Sequence, residues 1–243
     1  MNRSKAIVLA AGKSTRIAQL AGGRPKPLLE ICGQAVLTRN LRWLAESGIE
    51  EVWINLHYRP QAIRESIGDG RGLGLRVYYS FEPVILGTAG GVRRIAADWR
   101  EAFLVLYGDS LIRTDLCRME QVHRASRAPL TIALFDKSRQ AHSGIAGGTV
   151  ALACNGRIAR FAEGDASSTA TLVNAGLYFI EPEIVSRIPP GSHYDFGRDL
   201  FPQLLRSGVP INSYIIDGYC LGLDTPEAYR RALDLIHQGV VRL

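Results

Sequence analysis

The chain has 243 residues, 47% of them hydrophobic, enough for one sizeable α/β domain that buries its own core. No apolar stretch reaches the roughly 20 residues needed to span a bilayer, so no membrane partner is expected. The net charge is +6, but Lys and Arg are dispersed, with no basic run and no aromatic–basic interleaving, which argues against a nucleic-acid partner and leaves room for anionic small substrates.

Strand-like and helix-like segments alternate along the first 110 residues. Residues 5–11 read as a strand and 35–47 as an amphipathic helix with Val36, Leu37, Leu41 and Leu44 at helical spacing, stopped by Gly48. Residues 51–56 read as a strand, 60–66 as a helix, 76–79 as a short strand, 88–99 as a helix and 102–107 as a buried strand ending in Gly108-Asp109. This rhythm predicts a parallel sheet with helices on both faces, whose ligands sit at the carboxyl ends of the strands. Further on, 130–135, 148–153, 158–161 and 175–179 are strand-like, and Asn155-Gly156 marks a hairpin. Helices are expected at 182–186, 196–207 and 226–238. No repeat or linker divides the chain, so the expectation is a single domain over 1–243, with a nucleotide-binding half at 1–125 and a substrate half at 126–243.

The first strand empties into Gly12-Lys13-Ser14-Thr15-Arg16, and Pro25-Lys26-Pro27 follows. Gly12 lets backbone N–H groups approach an anion, Arg16 offers a planar fork and Lys26 a compact point charge. The segment lacks the glycines of a dinucleotide fingerprint and of a Walker A loop. Gly-Lys-Ser alone also describes an ordinary strand-to-helix turn. Asp109 closes a buried strand, where a carboxylate is costly unless a cation meets it; the plain alternative is a turn or capping residue. Asp224, before Thr225-Pro226, is either a ligand or the N-cap of the last helix. Cys32, Cys117, Cys154 and Cys220 form no CxxC pair, the five histidines have no metal spacing, and no Ser/His/Asp arrangement is suggested. Scattered thiols and the absence of a leader-like N-terminus fit a cytoplasmic protein.

Taken together, Leu9-Ala10-Ala11-Gly12-x-Ser-Thr-Arg16 and Pro-Lys26-Pro resemble the signature of the sugar-1-phosphate nucleotidyltransferases, and the resemblance extends from about residue 5 to residue 230. Glu82-x-x-x-Leu-Gly87-Thr88-Ala-Gly resembles the family's base-binding string, whose small residues would admit a flat base, with Glu82 or nearby backbone reading its edge. Val-Asn174-Ala-Gly176-x-Tyr resembles the sugar-binding string, Glu163 matches the acid that bonds sugar hydroxyls, and Gly148 matches a glycine lining that pocket. The segment 194–199 resembles one preceding the penultimate helix, where a capped helix start explains it as well as a ligand role.

The resemblance implies a Rossmann-like α/β fold with a mixed, mostly parallel sheet. It also implies a Mg²⁺-dependent reaction of an NTP with a sugar 1-phosphate. Arg16 and Lys26 would be catalytic, with Leu9, Ala10, Ala11, Gly12, Lys13, Glu82, Gly87 and Thr88 around the nucleotide. Gly148, Glu163, Asn174 and Gly176 would line the sugar site, and Asp109 and Asp224 would hold the metal. Two departures stand out. Gly222 occupies the family's second metal-aspartate position, with Asp224 two residues on and on the same side of an extended segment. Gly164 replaces the lysine that would touch the sugar phosphate, for which Arg160 or Lys13 could substitute. Short relatives favour GTP with a hexose or heptose 1-phosphate. The Asp224 placement also resembles choline-phosphate cytidylyltransferases, a non-catalytic NDP-sugar-binding subunit is the other alternative, and a homo-oligomer is left open.

Overall fold

The structure is a computed structural model that describes residues 4–13, 17, 22–144, 147–164 and 170–243. Strand β1 (Ser4–Leu9) is the pivot of the fold, pairing in parallel with β4 (Ile49–Leu56) on one side and β6 (Phe103–Tyr107) on the other. Its residues alternate between two cores. Ala6 and Val8 pack into one cluster with Leu37 and Leu41; Ile7 and Leu9 face the other with Ala89 and Val92. A strand apolar on both faces must be covered on both, as the sequence rhythm predicts.

Between these strands run a small hairpin of β2 (Glu30–Ile31) and β3 (Gln34–Ala35), helix α1 (Val36–Glu46), helix α2 (Pro60–Ile67), strand β5 (Arg76–Phe81) and helix α3 (Gly87–Ala96). The parallel order is β5-β4-β1-β6. Leu9 lies opposite Asn55 and Tyr107, so the carboxyl ends of the three central strands form one row.

After β6 come β7 (Ser110–Arg113), α4 (Leu116–Ser126), β8 (Leu130–Asp136), β9 (Thr149–Leu152), β10 (Ile158–Ala162) and β11 (Leu172–Ile180). Strand β11 runs antiparallel to β6, β8 and β9, so among the described residues nine strands, including a later β12 (Ile211–Ile215), share one mixed sheet. The β9–β10 turn at Asn155-Gly156 forms as expected, with Asn155 Oδ1 accepting from the Arg157 N–H at 3.0 Å and Gly156 at φ 77°. The chain closes with α5 (Pro182–Val185), α6 (Phe201–Arg206), β13 (Tyr219–Gly222) and α7 (Pro226–His237). No helix among the described residues is long and apolar enough to cross a membrane.

The expected single helix over 196–207 is instead a π turn, Phe196–Leu200, followed by α6. Pro202 has no N–H to continue the α-helical ladder, and the wider turn upstream accommodates that gap. Helix α4 has no counterpart in the sequence reading because its buried side chains are Leu116, Met119 and His123; the third apolar-face position is a histidine.

Candidate functional site

Lys26 lies in a short 3₁₀ turn between Pro25 and Pro27 that buries it to 6% exposure. Its Nζ donates to Asp109 Oδ2 at 2.7 Å and to Asp224 Oδ1 at 2.5 Å. Burial works against the ammonium charge, but attraction and hydrogen bonds from both carboxylates outweigh it and hold the Lys26 pKa above the ordinary lysine value. Three residues separated by up to 198 positions thus meet at one point.

Each is delivered by backbone chemistry. Gly108 N–H donates to Leu9 O at 2.9 Å, drawing the ends of β6 and β1 together just before Asp109. A Cβ at position 108 would lie 2.9 Å from Val8 Cγ1, so only glycine permits this approach. Asp224 follows β13, whose Gly222 pairs with Ser110, the neighbour of Asp109. The cap of α7 is Thr225, whose Oγ1 accepts from Ala228 N–H at 3.2 Å. Asp224 is therefore not the capping residue, and its carboxylate turns to Lys26.

Two cavities open here. One, of about 250 Å³, is lined by Leu9, Ala11, Gly12, Asn55, Glu82 and Gly87 among others; the second, of about 290 Å³, is lined by Glu163, Asn174, Gly176, Gly197 and Asp224 among others. Thr88, Tyr107, Asp109 and Asp195 line both, so they form one continuous cleft. In the first cavity Asn55 is a hub. Its Oδ1 accepts from Ala10 N–H at 2.7 Å, and its Nδ2 donates to Glu82 Oε1 at 2.8 Å. Glu82 Oε2 accepts from Leu86 N–H at 2.9 Å. Glu82 is buried and braces the loop with both oxygens.

The small residues of α3 make room for neighbouring backbone. Ala89 and Gly90 N–H groups both donate to Tyr194 O at 2.9 Å. Cβ atoms at Gly87 and Gly90 would each come within 2.6 Å of a backbone oxygen, of Tyr194 and Ser192 respectively. The segment 192–195 therefore lies directly on the start of α3. Asp195 Oδ1 accepts from both the N–H and the hydroxyl of Thr88 at 3.0 Å, and Phe196 N–H donates to Thr88 Oγ1 at 2.9 Å. Asp195 is a clamp that joins the two cavities. His193, to which the sequence assigned nothing, lines the first cavity with Nδ1 3.9 Å from Asp195 Oδ2.

In the second cavity the key device is a bulge. The register of β11 on β8 shifts between Asn174 and Tyr178, and Gly176 adopts φ 74°. A Cβ at Gly176 would lie 3.0 Å from Tyr107 Cγ. Asn174 Oδ1 accepts from Gly176 N–H at 3.0 Å and its Nδ2 donates to Tyr178 OH at 2.8 Å. Burial pushes the Tyr107 phenol up to about 12, against hydrogen bonds to Tyr178 and Thr88. Glu163 sits against Gly148 and Gly197, where a Cβ at either glycine would collide with its Oε2. Burial raises the Glu163 carboxyl above its ordinary value, Arg198 opposes the shift and Asp195 adds to it.

Of the expected site residues, the structure brings Lys26, Asp109, Asp224, Gly12, Leu9, Ala11, Glu82, Gly87, Thr88, Gly148, Glu163, Asn174 and Gly176 to this cleft or its walls. Ala10 contributes its N–H to the Asn55 hub. Arg16 lies outside the described residues. Lys13 is exposed and lines neither cavity. Arg160 is exposed on β10 beside the buried Phe161, and it too lines neither cavity. Asn55, Tyr107, Asp195 and Arg198 were not singled out as site residues, although Asn55 and Tyr107 occupy the same strand-end row as Leu9, a signal open to the alternation argument.

The donor set suits Mg²⁺. Two carboxylates converge on a single cation, here the Lys26 ammonium, and magnesium is commonly held by one or two carboxylates together with substrate phosphates. No group of three or more His, Cys, Asp or Glu is gathered as a metal cage among the described residues.

A family profile described as nucleotidyl transferase matches residues 5–238. The UTP–glucose-1-phosphate uridylyltransferase of Synechocystis is 35% identical over 88% of this chain and 58% of its own length. The mannose-1-phosphate guanylyltransferase of Mycobacterium tuberculosis is 34% identical over 95% of this chain and 64% of its own. The chain thus spans about three-fifths of the length of these relatives. Among solved structures, HddC from Yersinia pseudotuberculosis superposes with a TM-score of 0.78 at 20% identity, over 96% of this chain and 99% of that one. A putative glucose-1-phosphate thymidylyltransferase from Bacillus anthracis superposes at 0.83 and 17% identity, covering 96% and 94%. These two share the fold: a mixed α/β sheet flanked by helices, of the nucleotide-diphospho-sugar transferase type. The chain belongs to the nucleotidyl transferase family.

Proposed function

We propose that this chain transfers a nucleotidyl group from an NTP to a sugar 1-phosphate, giving an NDP-sugar and pyrophosphate. The observation that carries the reading is the meeting of Asp109, Asp224 and Lys26 where the two cavities join. Both relatives above are named for nucleotidyl transfer to a hexose 1-phosphate, which supports the same reaction class.

The nucleotide lies over the ends of β1 and β4, with its phosphates at Gly12 and its base toward Gly87. Because the Glu82 carboxylate is occupied, the base edge is read by backbone near Ile85–Gly87. The acceptor lies between Glu163 and the Asn174 bulge. A phosphate oxygen of the sugar 1-phosphate attacks the α-phosphorus in line, the α–β bridging P–O bond breaks, and pyrophosphate leaves. The attacking oxygen is already anionic, so no residue need remove a proton. Lys26 neutralises charge at the α-phosphate, and Arg16 holds the β- and γ-phosphates. Asp109 and Asp224 would hold Mg²⁺, which supplies charge neutralisation at the phosphates when bound.

The two relatives are named for uridylyl and guanylyl transfer; of these, the reading here is GTP with a hexose or heptose 1-phosphate. The test is product formation across common NTPs against hexose 1-phosphates, heptose 1-phosphates and phosphocholine, with Mg²⁺ and with EDTA. Metal-dependent NDP-sugar formation from one pair is expected. Turnover of phosphocholine alone would favour a cytidylyltransferase of choline type, although Tyr107 is the one aromatic residue lining the acceptor cavity among the described residues, a poor cage for a quaternary amine. Silence with NDP-sugar still binding would favour a regulatory subunit.

A further inference from the structure

The acceptor cavity is rich in carboxylates. Asp109, Glu163, Asp195 and Asp224 all line it, and among its described lining residues Arg198 is the one basic side chain. A sugar 1-phosphate enters this space as an anion. Lys26 is engaged by Asp109 and Asp224. Without another cation, the acceptor phosphate would face the like charge of Glu163 and Asp195.

The fold aims Arg198 at this task. Phe196 and Phe201 are buried with Tyr178 in one aromatic group, their rings 5.0 and 5.3 Å from the tyrosine ring. The Thr88–Asp195 clamp fixes the start of the π turn between them. Gly197 is pressed so closely on Glu163 that no Cβ fits, which carries the next residue to the cavity mouth. Arg198 is exposed there, and its charge is felt at Glu163. The two other candidate cations, Lys13 and Arg160, line neither cavity.

Resting on the sugar-phosphate reading above, we propose that Arg198 is the residue that binds the phosphate of the sugar 1-phosphate acceptor, taking over at the π turn the contact that Gly164 cannot make. Its guanidinium fork suits two phosphate oxygens at once. Glu163 and Arg198 then share the acceptor: the carboxylate takes sugar hydroxyls while the guanidinium takes the phosphate.

The test is steady-state kinetics of Arg198→Ala and Arg198→Lys with GTP or UTP against α-D-mannose 1-phosphate and α-D-glucose 1-phosphate, whichever pair the unaltered chain turns over. Arg198→Ala is expected to raise the KM for the sugar phosphate roughly ten- to hundredfold, as for one lost charge-assisted contact, and to leave the KM for the NTP within about twofold. Arg198→Lys is expected to recover part of that loss, a result that a purely structural role would not give. An unchanged NTP KM also shows that the variant is folded. An unchanged acceptor KM in Arg198→Ala, or equal loss for both substrates with no rescue by lysine, overturns the inference while the proposed reaction stands. No turnover by the unaltered chain with any pair overturns the reaction itself, and with it this role for Arg198.

Discussion

At the end proposed for the nucleotide the cleft is walled by the carboxyl ends of the parallel strands β1, β4 and β6, in register at Leu9, Asn55 and Tyr107. At the acceptor end it is walled by a bulge in β11, a π turn and the end of an antiparallel hairpin. Glycines clear space at both ends, but for different neighbours: Gly87 and Gly90 admit the backbone of residues 192–194 at the first, while Gly148 and Gly197 admit the Glu163 side chain and Gly176 the Tyr107 ring at the second. Substitutions at the second end should therefore disturb the shape around single side chains.

The largest effect is expected where the two ends meet. Lys26→Met should lower kcat by about a hundred- to a thousandfold, equivalent to roughly 2.7–4 kcal/mol of transition-state stabilisation. It should also leave Asp109 and Asp224 facing each other without their shared ammonium. Added Mg²⁺ should then raise the melting temperature of the variant more than that of the unaltered chain. Thermal scans with and without metal check this, and equal shifts in both proteins would contradict the assigned metal pair.

At the acceptor end Gly148→Ala should break shape rather than chemistry. The new Cβ would overlap the Phe161 ring and sit 2.7 Å from Glu163 Oε2. A destabilisation of about 1–3 kcal/mol is expected from overpacking, with a raised acceptor KM and a nearly unchanged NTP KM. A variant impaired equally toward both substrates would erase the distinction between the two ends. Thr88→Val tests their junction: it leaves the Phe196 N–H without its acceptor and removes one donor to Asp195. We expect a loss of about 1–3 kcal/mol in chemical denaturation, with both KM values raised together.

The two ends also differ in how much of them can be read from the sequence. The apolar run of β1, the helical spacing of α1 and the Gly108-Asp109 strand end are local patterns, and each was visible. Glu163 and Asn174, proposed for the acceptor, came only from resemblance to a family string, because a bulge is set by pairing with β8 and not by its own residues. The segment 194–199 was noted, but a capped helix start explained it as well as a ligand role, and the helix expected over 196–207 hides the π turn that carries Arg198. The run Gly87-Thr88-Ala89-Gly90 was legible as small but not in its reason, since the backbone that presses on it comes from residues 192–194.

The smallest expected effect lies away from the cleft and serves as a control. His123 is buried, with Nδ1 2.8 Å from Thr131 Oγ1 and Nε2 3.3 Å from Glu181 Oε1. Burial lowers its pKa, with Glu181 pulling the other way. The neutral ring thus stabilises the fold above the ordinary histidine value of about 6.5, and that contribution is lost as the pH falls through the lower folded value. The melting temperature should fall below about pH 6.5, and His123→Gln should flatten that slope without changing either KM near neutral pH. A variant with the same slope as the unaltered chain would assign the pH dependence elsewhere.

Nucleotidyl transfer to a sugar 1-phosphate is tested most directly by pyrophosphate release from the unaltered chain, measured with NTP and sugar 1-phosphate together, with each omitted in turn, and with EDTA in place of Mg²⁺. Release is expected only when both substrates and the metal are present. Release from NTP alone, or release that survives EDTA, would contradict it.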